Sequence, residues 1–240
     1  MPARSNAARR PSHQPASQAL ARSGSAPSAL HNNCSGKHAG FLCVASAAGV
    51  DHRGYVAADH PVQREVRAAI EDLTGVGLGP DVCGTDGCSI PTWAVPLHRL
   101  AHAFAKFATG AHMSQSRAKA AARLRAACAA QPYFVAGTGR FCTGIMELFG
   151  ARVLVKTGAE GVFCGAMPEQ GIGIALKCDD GAKRAAEVAM AAMIARFLPM
   201  TDEERAALDR FMRPMLRNWN GIEVGGLRPT AELLQGQRGR

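Results

Sequence analysis

The hydrophobic pattern changes its period past the middle of the chain, and this change limits the folds open to it. Earlier, apolar residues recur at helical spacing, as in the run Val62, Val66, Ala69, Ile70 and Leu73. Three short apolar runs with glycine-rich turns then predict strands: 152–156, 161–166 and 171–177. A long helix is predicted next, over about 182–197. Helices, a small group of strands and helices again predict a mixed α/β chain of the α+β class with an antiparallel sheet.

Capping and breaking residues predict the other elements. Pro61 suits the first turn of a helix, and Thr201 to Glu204 form a capping box that begins another. Further helices are predicted over about 36–48, after Pro96, over about 114–129 and just before Gly150. Residues 80–89 are predicted to be a loop, and the tail from Gly225 a polar, turn-rich segment.

Residues 1–30 differ from the rest in composition. They are rich in Ser, Ala, Pro and Arg and have no hydrophobic period, which predicts a disordered segment before a domain over 31–240. An acid-free segment of this kind also fits a transit peptide. A third interpretation is a wrong start or a shifted reading frame.

The formal net charge of +9 does not indicate a nucleic-acid-binding protein. Four of the nine charges come from arginines in residues 1–30, and the others are spread without a basic stripe. Only 5% of the residues are aromatic, so few bases could stack on side chains. Nucleic acid is therefore not an expected partner.

No apolar run is long enough to suggest a membrane span, and no signal peptide is evident. The chain has eight cysteines, and its ample apolar residues do not need disulfides to form a core. Free thiols in a reducing compartment are expected, so we predict a cytoplasmic protein without a membrane partner.

The densest polar segment runs over residues 31–40. Cys34 and Lys37 lie three residues apart at a predicted helix start, so they would face the same way. Amide groups at a helix N-terminus also lower a nearby thiol pKa. The alternative is a well-capped turn with a buried cysteine.

A second segment, residues 83–92, has Cys83, Asp86 and Cys88 in a glycine-containing loop. Cys83 and Cys88 could bind zinc together, or Cys88 could join Cys34 at one metal ion. The alternative is a glycine turn with unligated thiols.

The third segment is Lys156-Thr157-Gly158, at the end of the first predicted strand. K-T-G on a strand is a motif of serine β-lactamases and penicillin-binding proteins. The alternative is a solvated lysine before a turn. An S-x-x-K match at Ser116 to Lys119 has no polar residues around it, and we do not expect it to be catalytic.

Four strings in order resemble the class 3, Rhizobium etli-type L-asparaginases over about residues 31–225: Asn32-Asn33-Cys34-Ser35-Gly36-Lys37-His38-Ala39-Gly40, Asp86-Gly87-Cys88, Ala136-Gly137-Thr138-Gly139-Arg140-Phe141-Cys142-Thr143 and Lys156-Thr157-Gly158-Ala159-Glu160-Gly161. The resemblance implies a fold similar to serine β-lactamases and hydrolysis of L-asparagine to L-aspartate and ammonia. A homodimer is expected on the same ground.

The resemblance also implies roles for individual residues. A zinc ion is expected on Cys34, Lys37 and Cys88. Asp86 and His38 are expected to orient the metal shell and to bind substrate. Substrate binding is also expected of Cys142, and catalysis of Lys156.

The chain departs from the family pattern at its start. The family has a long segment before Asn-Asn-Cys-Ser that carries an S-x-x-K serine and a second serine, and no residue in 1–30 can be assigned to these roles. We therefore expect an N-terminally truncated or aberrant member with impaired activity. The alternative is a non-catalytic remnant that binds zinc or asparagine.

Overall fold

The computed structural model describes residue 11 and residues 13–235. These residues divide into two compact units, one that ends at Val95 and one that begins at Pro96. We predicted no structure for residues 1–30, but the described part of this segment forms helix α1, Gln14–Arg22, in which no residue is buried. A proline in its first turn and Arg22 in its last turn favour this helix locally. Residues 1–10 and 12 lie outside the described residues, and the domain boundary at residue 30 stays a prediction.

The first unit continues with helices α2, Ser35–Ala47, and α3, Pro61–Thr74, and strands β1, Cys83–Thr85, and β2, Pro91–Trp93. The two strands pair antiparallel, with Cys83 opposite Trp93. Our prediction that residues 80–89 form a loop is therefore wrong for part of the segment, because backbone pairing with the nearby strand β2 forms β1. The buried core consists of Phe41, Ala45, Tyr55, Val62, Cys88 and Ile90.

Helix α3 begins at Pro61 as predicted, and both of its ends have clear physical reasons. Pro61 has no amide hydrogen to leave unpaired, and the His60 side chain accepts a hydrogen bond from the amide of Val62. Gly75 ends the helix in a left-handed conformation, with φ +66°, which a side chain would disfavour.

The second unit is larger and begins with four helices: α4, Leu97–Thr109, α5, Gln115–Ala130, α6, Pro132–Ala136, and α7, Phe141–Phe149. A three-stranded sheet follows: β3, Leu154–Thr157, β4, Val162–Met167, and β5, Ile172–Lys177. Two helices come next: α8, Lys183–Phe197, and α9, Asp202–Met212. The remaining elements are strands β6, Met215–Arg217, and β7, Glu223–Gly226, and helix α10, Ala231–Gln235. The tail from Gly225, predicted to be turn-rich, thus contains the end of a strand and a short helix.

The sheet β3-β4-β5 is antiparallel throughout, which confirms the predicted strands and the α+β class. Its two faces are covered by different helices. A Cβ atom on Gly165 would lie 3.0 Å from the Met190 sulfur of α8, whereas one on Gly173 would lie 2.0 Å from the Ala101 carbonyl oxygen of α4. Among the described helices, none is long and apolar enough to cross a membrane.

Candidate functional site

Three side chains of the first unit, which we call the thiol cluster, bring potential metal ligands together. The Cys34 and Cys88 sulfurs and a carboxylate oxygen of Asp86 all lie within 4.8 Å of one another. Cys34 immediately precedes α2, and the other two residues lie in the turn between β1 and β2. Of the two pairings left open by the sequence, the structure brings Cys88 to Cys34; Cys83 is not in the cluster.

The turn that carries Asp86 and Cys88 is held by its own hydrogen bonds. The Asp86 carboxylate accepts from the Cys88 amide at 3.2 Å, and the Asp86 amide donates to the Ile90 carbonyl at 2.8 Å. Ser89 has a φ of +78°, an uncommon conformation for a residue with a side chain. Strain of this kind is typical of functional turns, because it persists only where the surroundings enforce it.

Lys37 adds a positive charge to the thiol cluster. Its Nζ atom lies 3.8 Å from the Asp86 carboxylate. A hydrogen bond from the Cys88 thiol is the main reason that the Asp86 pKa lies below its usual value, and the charge of Lys37 contributes. Burial, followed by the bond to Asp86, raises the pKa of the Cys88 thiol, whereas Lys37 opposes this rise.

His38 is buried beside this group without belonging to the thiol cluster. Its Nδ1 atom lies 2.6 Å from the Tyr55 hydroxyl oxygen, and the Gln63 amide nitrogen donates to the Tyr55 carbonyl at 2.9 Å. Its Nε2 atom is also buried and has no hydrogen-bond partner among the described residues. Burial, and then the charge of Lys37, lower the His38 pKa, so the ring is neutral at pH 7.

The donors of the thiol cluster suit a zinc ion. Two thiolates with a nitrogen or oxygen donor form a common zinc-binding set. The raised Cys88 pKa does not oppose this, because a coordinated thiol loses its proton to the metal. Lys37 would donate through its amine only in the neutral form. The residues present therefore fit the ion expected from the sequence.

Lys156 lies in the second unit, on β3 directly opposite Cys164 of β4. The Lys156 side chain is exposed, and its Nζ atom donates to the Thr157 carbonyl at 2.7 Å. Burial raises the Cys164 pKa to about 12, against the opposing charge of Lys156. An ammonium group has three donors, so this bond leaves capacity for a ligand.

Cys142 lies in the first turn of α7, within electrostatic reach of Lys156. Its side chain is 1% exposed, and burial raises the thiol pKa despite a hydrogen bond with the Thr157 backbone. The structure thus brings Cys142 and Lys156 together, as two predicted site residues of this unit. A buried, protonated thiol is a poor nucleophile. We therefore expect Cys142 to pack against a site and not to attack a substrate.

The S-x-x-K match lies at the exposed start of α5. The Ser116 hydroxyl is 3.2 Å from the hydroxyl of Ser114, which caps the helix by accepting from the Arg117 amide. Our expectation that Ser116 and Lys119 are not catalytic stays a prediction.

Sequence reasoning missed two adjoining cavities of the second unit. The larger measures about 400 Å³ and is lined by Tyr133, Arg140, Arg210 and Phe211 among others. The smaller measures about 290 Å³ and includes Glu187, whose pKa is raised by burial. The string that contains Arg140 was singled out, but the residues from α9 are too distant in sequence to be placed beside it.

Comparison with known proteins gives the family. The sequence model of L-asparaginase II matches residues 4–229, which includes most of the segment that we predicted to lie outside the domain. No curated protein matches the chain. Because the match spans far more than half of the sequence, the chain belongs to the L-asparaginase II family and is by that membership an amidohydrolase.

Proposed function

We propose that this protein hydrolyses the side-chain amide of L-asparagine to give L-aspartate and ammonia. The observation that carries the proposal is the family match over residues 4–229. The finer assignment, to the class 3, Rhizobium etli type with a serine β-lactamase-like fold, is supported by the four sequence strings and by the K-T-G motif at the end of β3.

The reaction is an acyl transfer. A nucleophile attacks the amide carbon, the C–N bond breaks, the leaving nitrogen takes a proton and departs as ammonia, and water then releases aspartate. Lys156 is the proposed catalytic residue, because its exposed ammonium group can stabilise negative charge on the substrate and supply a proton. No residue described in the chain is assigned as the nucleophile, and reduced turnover is part of the proposal.

The other predicted site residues have binding roles in this proposal. Cys142 stays protonated, and its buried thiol lies behind the site near Lys156. His38 is neutral at pH 7 and offers one donor or one acceptor at Nε2. Asp86 is ionised, because its pKa is held low, and would accept hydrogen bonds from a substrate amine.

We also propose that Cys34, Cys88 and Lys37 hold a zinc ion, with Asp86 orienting them. When bound, zinc supplies Lewis-acid character and joins the start of α2 to the β1–β2 turn. Both cysteines must lose their protons and the lysine must be neutral, so binding releases protons and weakens as the pH falls.

The test is ammonia release from L-asparagine, with zinc measured on the same sample. Lys156→Met removes the charge and keeps the length of the side chain. Lys177→Met is the matched control, since Lys177 is an exposed strand lysine that donates to the carbonyl of the next residue at 2.5 Å, as Lys156 does.

We expect Lys156→Met to lower kcat by about 100-fold or more, as for loss of an acid–base group, and the control to be unchanged. Equal turnover in both variants would remove Lys156 from the mechanism. Zinc binding without any turnover by the unchanged chain would favour the alternative, a remnant that binds zinc or asparagine.

A further inference from the structure

The smaller of the two cavities of the second unit combines apolar walls with charges of both signs. It measures about 290 Å³, and its described lining is mostly apolar, with Phe141 and Phe211 among others. Three charged side chains also line it: Arg184, Glu187 and Arg210. A concave, mostly apolar surface with a few well-placed polar groups is typical of sites for small molecules.

The aromatic wall of this cavity is held from two helices. The ring centroids of Phe141, on α7, and Phe211, on α9, are 5.4 Å apart, with the rings edge-on at 80°. A Cβ atom on Gly144 would lie 2.8 Å from the Phe211 ring, so this ring packs directly on the backbone of α7. The absence of a side chain at Gly144 therefore lets the wall form before any ligand binds.

Arg210 offers an anion-binding group at the same place. Its guanidinium carbon lies 4.8 Å from the centroid of the Phe211 ring, and the residue lines both cavities. Among the described residues it has no ion-pair partner. A guanidinium group held over an aromatic ring keeps its N–H donors in the ring plane or at its edge free for a carboxylate, which it can bind through two parallel hydrogen bonds.

Two further arginines add positive charge that has little local compensation. Arg140 lines the larger cavity and lies just before α7, and Arg184 lines the smaller one from the first turn of α8. A positive charge near the N-terminus of a helix is unfavourable, because the helix dipole is positive there. A carboxylate bound among these arginines would relieve that repulsion.

Glu187 supplies the opposite charge. It lies on α8 three residues after Arg184, is half-buried, and has no ion-pair partner among the described residues. Burial raises the pKa of Glu187, and the charges of Arg140 and then Lys183 oppose this rise. An ammonium group on a ligand would favour the ionised carboxylate in the same way.

We propose that this cavity binds a free α-amino acid with an apolar side chain, its carboxylate on Arg210, its ammonium group on Glu187 and its side chain against Phe211. A ligand with one charge of each sign matches the mixed lining, whereas Glu187 repels a compact dianion such as phosphate. Neither Lys156 nor Cys142 lines either cavity. The site is therefore separate from the one proposed for amide hydrolysis and does not depend on that activity.

The test is titration of the protein with L-leucine, followed by calorimetry. Arg210→Met should weaken binding by about 10-fold or more, because it removes a charge-assisted hydrogen-bond donor and keeps an unbranched apolar chain. Arg205→Met is the matched control, since Arg205 is an exposed arginine of the same helix that lies outside both cavities. Lys156→Met should also bind L-leucine like the unchanged protein.

A second comparison tests the role of Glu187. The probe 4-methylpentanoate has the carboxylate and the side chain of leucine but no ammonium group. Glu187→Gln should therefore weaken binding of L-leucine by about 10-fold or more and leave binding of 4-methylpentanoate unchanged. An unchanged far-ultraviolet circular dichroism spectrum of each variant shows that the fold is intact.

Three results would overturn the proposal. The first is no binding of L-leucine by the unchanged protein up to about 10 mM. The second is equal affinity of the Arg210→Met and Arg205→Met variants. The third is loss of L-leucine binding in Lys156→Met, which would place the amino acid at the site proposed for catalysis.

Discussion

The Nδ1 atom of His38 lies 2.6 Å from the Tyr55 hydroxyl oxygen, and both side chains are buried. Because burial lowers the His38 pKa, the ring is neutral at pH 7 and only one of its nitrogens carries a proton. If Tyr55 donates to Nδ1, the proton lies on Nε2. The hydroxyl thus sets whether Nε2 is a donor or an acceptor.

Tyr55→Phe should destabilise the fold by about 1 to 3 kcal/mol, because it keeps the ring but leaves Nδ1 of His38 buried without this partner. The measurement is the free energy of unfolding in urea. Tyr133→Phe is the control, since Tyr133 is 55% exposed and its loss of a hydroxyl should change little. Equal effects of the two substitutions would show that the hydrogen bond to His38 contributes nothing specific.

Zinc binding should distinguish two cysteines of the same strand–turn segment. Cys88→Ser should abolish stoichiometric zinc, because Cys88 lies within 4.8 Å of the Cys34 sulfur and the Asp86 carboxylate. Cys83→Ser should retain the metal, since the Cys83 thiol is outside the thiol cluster and donates to the Gly84 carbonyl. The measurement is metal content by mass spectrometry after dialysis against a weak chelator.

The loss of affinity in Cys88→Ser should exceed the roughly 10- to 100-fold typical of changes to groups that only orient ligands. Loss of zinc from both variants would point to a ligand set that includes Cys83. Full retention by Cys88→Ser would remove the proposed site.

Sequence reasoning predicted best where local chemistry decides the structure. Pro61 and His60 fix the start of α3, and the reciprocal hydrogen bonds of Thr201 and Glu204 fix the start of α9. The strands of the larger sheet were predicted because each is long enough to show a pattern between glycine turns.

The short strands β1 and β2, which pair with each other, were missed. Strands β1 and β2 have three residues each, which is too short to show the alternation of apolar and polar residues that predicts a strand. The same limit applied to the candidate site. Cys34 and Lys37 are one helical turn apart and could be grouped from spacing, whereas the choice between Cys34 and Cys83 as the partner of Cys88 depends on how a distant turn folds back.

Alkylation should separate the thiols of the chain by burial. Cys43 is exposed, whereas Cys164 is buried and has a pKa of about 12. With iodoacetamide at about pH 8, Cys164 should react at least on the order of 100-fold more slowly than Cys43, because only the thiolate attacks. Peptide mass spectrometry over time gives both rates, and comparable rates in the folded protein would contradict the burial of Cys164.

The same thiol should make stability depend on alkaline pH. The folded pKa of Cys164 lies above its ordinary value of 9.0, so the folded state holds its proton more tightly than the unfolded state. The resulting stability is complete below about pH 9 and is lost as the pH rises towards about 12. Unfolding in urea at several alkaline pH values should show this fall, and Cys164→Ala should have a shallower fall. Parallel curves for the two proteins would contradict the predicted linkage.

Gly173 should be among the least replaceable residues of the second unit. A Cβ atom there would lie 2.0 Å from the Ala101 carbonyl oxygen and 2.5 Å from the Ala105 amide nitrogen, and backbone atoms of α4 cannot rotate away as a side chain can. We expect Gly173→Ala to destabilise the fold by at least about 1 to 3 kcal/mol, since α4 must move off the sheet. Gly226→Ala is the control, because the nearest atom to its Cβ would be 3.6 Å away. Thermal unfolding measures both, and equal melting temperatures for the two variants would mean that α4 does not pack as closely on β5 as the structure indicates.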